Sequence, residues 1–234
     1  MILNLISAVE INIWKYIFVD SYSMLLEGLL NTLLIVIFAF PLGLLIGSIV
    51  GIAHFVPNNN VFIKIWKRIN AIYVAIFRGT PIVVQLLFIY FGMLLPLGIP
   101  DVMVAILVFG LNSGAYVSEI VRGGIASVDK GQIEAGRSLG ISYSKTMIKI
   151  ILPQAIKNIT PTLGNELIAL IKETSVAGYV AVLDITRVIQ MIASNTYNYF
   201  VSYFVLGIIY FVIVFIITQL LKVVERRLSR SDKR

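Results

Sequence analysis

The sequence predicts an all-α integral membrane protein with five transmembrane helices, and three observations lead there. Of its 234 residues 59% are hydrophobic and 13% charged, about half the charged fraction of an ordinary soluble domain. Mean hydropathy is +0.94, and the apolar residues fall in runs comparable to the roughly 20 residues that a helix needs to cross a bilayer. The lysines and arginines between those runs collect in alternate connections, the distribution that sets orientation in a membrane.

Residues 28–53 form the first predicted span, free of charge, with Pro41 expected to kink it because proline removes a backbone donor and crowds the preceding turn. Before it, Trp14, Tyr16 and Phe18 suit the headgroup layer. No basic start precedes an apolar core and a small-residue cleavage site, so no secretory signal is expected. The second span covers 71–94, with Arg78-Gly79-Thr80-Pro81 near its start, and the third covers 102–120. The fourth, 150–183, is cryptic because Lys157, Glu166, Lys172 and Glu173 interrupt its apolar residues. A structureless loop of that length would be unusual. Leu163, Leu167, Leu170 and Ile171 recur at helical spacing, so a helix with one polar face, shielded from lipid by its neighbours, fits best. Pro153 and Pro161 read as its start and its kink, and 200–221 is the least ambiguous span.

Basic residues set the topology. Lys64, Lys67, Arg68 and Arg78 precede or open the second span, and Arg78 is expected to snorkel to the boundary. Arg122, Lys130, Arg137, Lys145 and Lys149 follow the third, and Lys222, Arg226, Arg227, Arg230, Lys233 and Arg234 form the tail. The opposite side holds Lys15 and Arg187 among acids such as Glu10, Asp20, Asp101 and Asp184. Positive charge collects inside, so the N-terminus is expected outside and the C-terminus in the cytoplasm, which requires an odd number of crossings. The net charge of +7 is then a topological signal, and nucleic-acid binding is not expected. Tyr197, Tyr199 and Tyr203 fit an outer aromatic belt, while His54, beside Pro57 and three asparagines, reads as solvated.

The absence of cysteine rules out disulfides, thiolate metal sites and a cysteine nucleophile. One histidine leaves no histidine-rich metal site within one chain. No G-x-x-x-x-G-K-[ST] phosphate loop and no H-E-x-x-H occur, so a membrane hydrolase is disfavoured. No internal repeat or linker divides the chain. An odd number of spans does not split into two equal inverted halves, as many secondary transporters do.

One stretch is more specific. Glu134-Ala135-Gly136 is followed by three residues, Gly140, nine more, then Ile150-Ile151-Leu152-Pro153. This resembles the EAA loop of bacterial ABC-transporter permeases, E-A-A-x3-G-x9-I-x-L-P, with Gly136 in place of the second alanine. Phe77-Arg78-Gly79-Thr80-Pro81 with Gln85, Gly114-Ala115-Tyr116, Glu119-Ile120-Val121-Arg122-Gly123-Gly124, Pro153-Gln154-Ala155, Leu163-Gly164-Asn165-Glu166 and Lys172-Glu173-Thr174-Ser175 look like the branch handling polar amino acids. The resemblance implies a single permease domain over 1–234, with its core at about 24–226 and a cytoplasmic coupling-helix region at 129–143. It also implies that Glu134, Ala135, Gly136, Ser138, Leu139 and Gly140 meet a separate ATPase, present in two copies, which binds the ATP and Mg that this chain lacks. A second permease chain, identical or paralogous, and an extracytoplasmic binding protein complete the expected importer in the inner cell membrane, surrounded by membrane lipid.

Polar residues within spans are costly and therefore informative. Asn112, Tyr116 and Glu119 share one face of the third helix by spacing, with Ser113 beside them. Asn165, Lys172 and Glu173 lie on the fourth, with Glu166 adjacent and Thr174 and Ser175 following. Two such faces are candidates to line a path for a zwitterion. The bland alternatives are a Glu119–Arg122 pair at i+3, which is favoured, and a cap or cross-dimer pair for Glu166, which is an equal reading. An ion-gradient-driven secondary transporter is the rival function; it accommodates Glu166 but leaves the Glu134–Pro153 spacing unexplained.

Overall fold

The computed structural model describes residues 13–57 and 60–230, with side chains described to Glu225 and Arg226 at the C-terminal end. Glu10, Asn58, Asn59, Lys233 and Arg234, weighed above for topology or loop character, lie outside the described residues, as do the side chains of Arg227 and Arg230. Among the described residues helices are the regular structure, joined by short turns, and there is no strand. Helix α1 is Tyr22–Ala53, α2 Val61–Gly79, α3 Ile82–Ile89, α4 Asp101–Ala126, α5 Gly131–Ser138, α6 Tyr143–Thr146, α7 Leu152–Glu173, α8 Ile185–Thr196 and α9 Tyr199–Arg230. A π-helical turn, Met147–Ile151, joins α6 to α7, and 3-10 turns at Thr174–Val180 extend α7.

Three of these, α1, α4 and α9, are long and apolar enough to cross a membrane, and two bent pairs could each supply a further span. Helix α4 is central: 67% of its apolar stretch is buried, against 28% for α1 and 17% for α9. Helix α1 lies along it through Gly43, Gly47 and Gly51, one per turn. A β-carbon on Gly47 would sit 2.5 Å from Val117 Cβ and 2.7 Å from the Gly114 carbonyl. Small residues at this spacing let two backbones approach, which is how helices associate where no hydrophobic force acts between them. The α1 helix runs unbroken through Pro41.

The predicted second span is two helices. Helices α2 and α3 meet at 111°, broken where Thr80 and Pro81 adopt extended backbone. Proline disfavours α-helix at the residue before it. Helix α2 also begins ten residues earlier than expected, so most of the stretch between the first two expected spans is helical. Its start is capped by Asn60, whose side-chain oxygen accepts from the Ile63 amide at 2.9 Å.

The cryptic fourth span is α7 and its 3-10 extension, close to the expected 150–183. Beyond it lies α8, which was read only as an outer connection. Asp184 caps it, accepting from the amides of Arg187 at 3.0 Å and Thr186 at 3.1 Å. Ile185, Val188, Ile189 and Ile192 form its buried face, packed on Ile13 and Ile17 before α1 and on Val205 of α9. Polar residues of α1 satisfy the turn that precedes it: Asn31 donates to the Leu183 carbonyl, and Thr32 accepts from the Ile185 amide.

Candidate functional site

Helix α5 is short and ends by rule. Gly140 takes a left-handed φ of 73°, the Ile141 amide returns to the Gly136 carbonyl at 2.9 Å, and the Gly140 amide to Arg137 at 3.0 Å. That pair of bonds is a Schellman termination, which requires a residue tolerant of positive φ. Asp129 accepts from the Gly131 amide at 2.8 Å just before the helix. Glu134, Ala135, Ser138, Leu139 and Gly140 are all exposed, and Leu139 keeps 77% of its surface accessible.

Gly136 differs from its neighbours. It is buried, and a β-carbon there would lie 2.6 Å from Thr146 Oγ1 and 2.9 Å from Thr146 Cγ2. Its small size serves packing against α6 of the same chain, rather than leaving a bare backbone for an incoming protein.

The polar residues of α4 do not share one destination. Asn112 donates to Gln85 Oε1 at 2.9 Å, and Gln85 in turn donates to the carbonyls of Phe77 at 2.8 Å and Thr80 at 3.0 Å. Buried Gln85 thus braces the α2–α3 break, supplying donors to carbonyls that the helix has lost. The Asn112 Oδ1 atom is buried and accepts no hydrogen bond among the described residues. One position on, Ser113 turns toward α7 and donates to Glu166 Oε1 at 2.8 Å.

Nearer the end of α4, Arg122 donates twice to Glu119, from Nε at 3.1 Å and from Nη2, as the i+3 reading expected. Arg78 also reaches Glu119, at 3.5 Å, with its guanidinium 5.5 Å from the centre of the Tyr116 ring. Arg78 therefore also belongs to an ion cluster across α2 and α4. Asn112, Tyr116 and Glu119 face α2 and α3, whereas Ser113 meets the α7 carboxylate. Within one chain the two expected polar faces do not oppose each other.

On α7, Asn165 and Lys172 are exposed and Glu173 is half-buried. Buried Thr174 donates to the Ile171 carbonyl at 2.7 Å. Ser175 opens on a cavity of about 400 Å³ together with Arg187 and Gln190. The residues that the sequence reading passed over as site members are Arg78 and Gln85. Both stand out as polar interruptions of an apolar run, which was the available signal.

Residues 43–230 match the family model described as the inner membrane component of binding-protein-dependent transport systems. The chain belongs to this family of transport permeases. Among curated relatives, the arginine transport system permease protein ArtQ of Bacillus subtilis is 43% identical over 210 residues, covering 89% of this chain and 94% of that one. A putative glutamine transport system permease protein GlnP of Rickettsia typhi is 39% identical, covering 92% and 98%. The crystal structure of an amino acid ABC transporter with histidines is 39% identical to this permease, with a TM-score of 0.80, over 90% of this chain and 96% of that chain. An inward-facing MetNI methionine ABC transporter has a TM-score of 0.76 at 21% identity, a likeness of fold alone. This permease is thus related to amino acid ABC transporter subunits over nearly its whole length.

Proposed function

We propose that this chain is the permease subunit of an ATP-driven importer of polar amino acids in the inner membrane. Two such subunits, identical or paralogous, enclose the path. An extracytoplasmic binding protein delivers the substrate, and two copies of a separate ATPase bind ATP and Mg, hydrolyse the ATP and drive alternation. The chain crosses the membrane five times as one permease domain, N-terminus outside and C-terminus in the cytoplasm. Relatives named for arginine and glutamine transport support a polar amino acid as cargo.

The observation that carries the reading is α5. An eight-residue helix closed by Gly140 leaves Glu134, Ala135, Ser138, Leu139 and Gly140 exposed. In this reading those residues dock on the ATPase, and Gly136 holds the helix to Thr146 so that displacement of α5 reaches α7. The substrate path draws on Asn112, Ser113, Tyr116, Asn165, Glu166, Lys172, Glu173, Thr174 and Ser175, while Glu119 is committed to its ion pairs with Arg78 and Arg122. The unpaired Asn112 acceptor and the Ser113–Glu166 pair are its best-supported members.

Glu134→Lys tests the coupling. Coupling between sites is typically worth 5–150-fold, so uptake should fall by about one to two orders of magnitude. ATP hydrolysis by the assembled complex should persist, and the membrane content of the chain should be unchanged. Unaltered uptake at normal expression would remove α5 as the coupling element.

A further inference from the structure

The cleft between α1, α2 and α4 is divided in chemistry. One wall is apolar, from Val50, Ala71, Val74 and Ala75, while Lys67, Arg78, Arg122 and Glu119 are the charged lining residues. The volume is about 320 Å³. The two guanidinium groups share that carboxylate, so positive charge is left in excess. Lys67 Nζ donates to the carbonyls of His54 at 2.9 Å and Val56 at 2.7 Å, leaving one of its three N–H groups for a further acceptor. Asn70 also lines the cleft, and its side-chain nitrogen is buried with no hydrogen-bond partner among the described residues.

Helix α2 buries no residue in this chain. Phe62, Ile65, Trp66 and Ile69 are also exposed on α2. An amphiphile with an anionic head and an apolar tail matches this arrangement, whereas a small polar solute would leave the apolar wall unused. Basic pockets between transmembrane helices on the cytoplasmic side are where anionic lipid head groups bind.

We propose that this cleft binds one anionic phospholipid of the cytoplasmic leaflet. Its phosphate meets Lys67, Arg122 and the Asn70 amide, and its acyl chain lies along Val74 and Ala75. The assignment rests on the orientation proposed above.

The chain has two tryptophans, so Trp14→Phe leaves Trp66 as the reporter, one turn from Asn70. The full-length chain is placed in nanodiscs of zwitterionic lipid containing brominated phosphatidylglycerol or, at equal mole fraction, brominated phosphatidylcholine. Quenching of Trp66 should be stronger with the anionic lipid. Lys67→Gln and Arg122→Gln should each lower that preference roughly fivefold, the equivalent of about 1 kcal/mol per basic residue near an anionic surface. Lys64→Gln, on α2 but outside the cleft, should leave it unchanged. Circular dichroism identifies any variant that fails to fold, and the two cleft variants are independent of each other.

Equal quenching by both lipids, or an equal loss with Lys64→Gln, overturns the proposal. Reversal of the preference by inorganic phosphate or a free amino acid also overturns it and assigns the cleft to a small anion or to cargo. The quenching needs neither ATPase nor uptake, so its failure leaves the importer reading standing. Failure of the Glu134→Lys test leaves the lipid site standing.

Discussion

Gly136 illustrates how one atom decides a local architecture. The family pattern has alanine there, and a methyl would ordinarily stabilise a helix by up to about 1 kcal/mol relative to glycine. In this chain that methyl would collide with Thr146 Oγ1 and Cγ2, and overpacking of this kind costs about 1–3 kcal/mol. The chain therefore has a matched pair, glycine on α5 facing a β-branched residue on α6. Gly136→Ala is expected to lower thermal stability of the purified chain, and Thr146→Ala in the same molecule should relieve the clash, since only Cβ, at 3.4 Å, remains. A double-mutant cycle measures this directly: a coupling energy near zero would mean that the two sites do not feel each other. At Glu119 one residue similarly serves two elements, because its carboxylate ties Arg78 of α2 to Arg122 of α4.

At the scale of elements, the α2–α3 break places the greatest demand on side chains. Ending one helix and starting another within three residues strands backbone carbonyls, and Gln85 answers two of them while also holding Asn112. Gln85→Leu keeps the volume and removes every one of these bonds. Each buried group left unpaired costs about 1–3 kcal/mol, so the thermal midpoint in detergent should fall well below that of a surface control. A loss no larger than about 0.5 kcal/mol, typical of surface changes, would show that Gln85 does not brace the break. The sequence signalled this place through Pro81 and the polar Gln85 but did not reveal its angle, because proline marks where a helix stops and says nothing about where the next one points. Helix α7 was legible because leucines at helical spacing outvote four charges. Helix α8 was not, since at 12 residues it is too short for a hydropathy run and its amphipathic period looks like an ordinary outer connection. The glycine stripe of α1 was visible as residues, but its partner on α4 was not, because nothing local to Gly47 names Val117.

For the molecule as a whole, the decisive question is whether α7 and α8 count as one crossing or two. They meet at 56°, and α8 at 12 residues spans roughly 18 Å at 1.5 Å per residue, well short of the about 30 Å hydrocarbon core. One broken crossing therefore fits, with its bend held by Asp184, Asn31 and Thr32. On that count Ser138 and Ser194 lie on opposite sides of the membrane; two crossings would put them on the same side. The chain contains no cysteine, and both serines are exposed, so Ser138→Cys and Ser194→Cys are conservative single reporters. In intact spheroplasts a membrane-impermeant thiol reagent should label Ser194→Cys and spare Ser138→Cys until the membrane is opened. Labelling of both, or of Ser138→Cys alone, would break the five-crossing arrangement. It would also move α5 out of reach of any cytoplasmic motor, because α5 and the basic end of α4 are separated by only a short turn and must share one side.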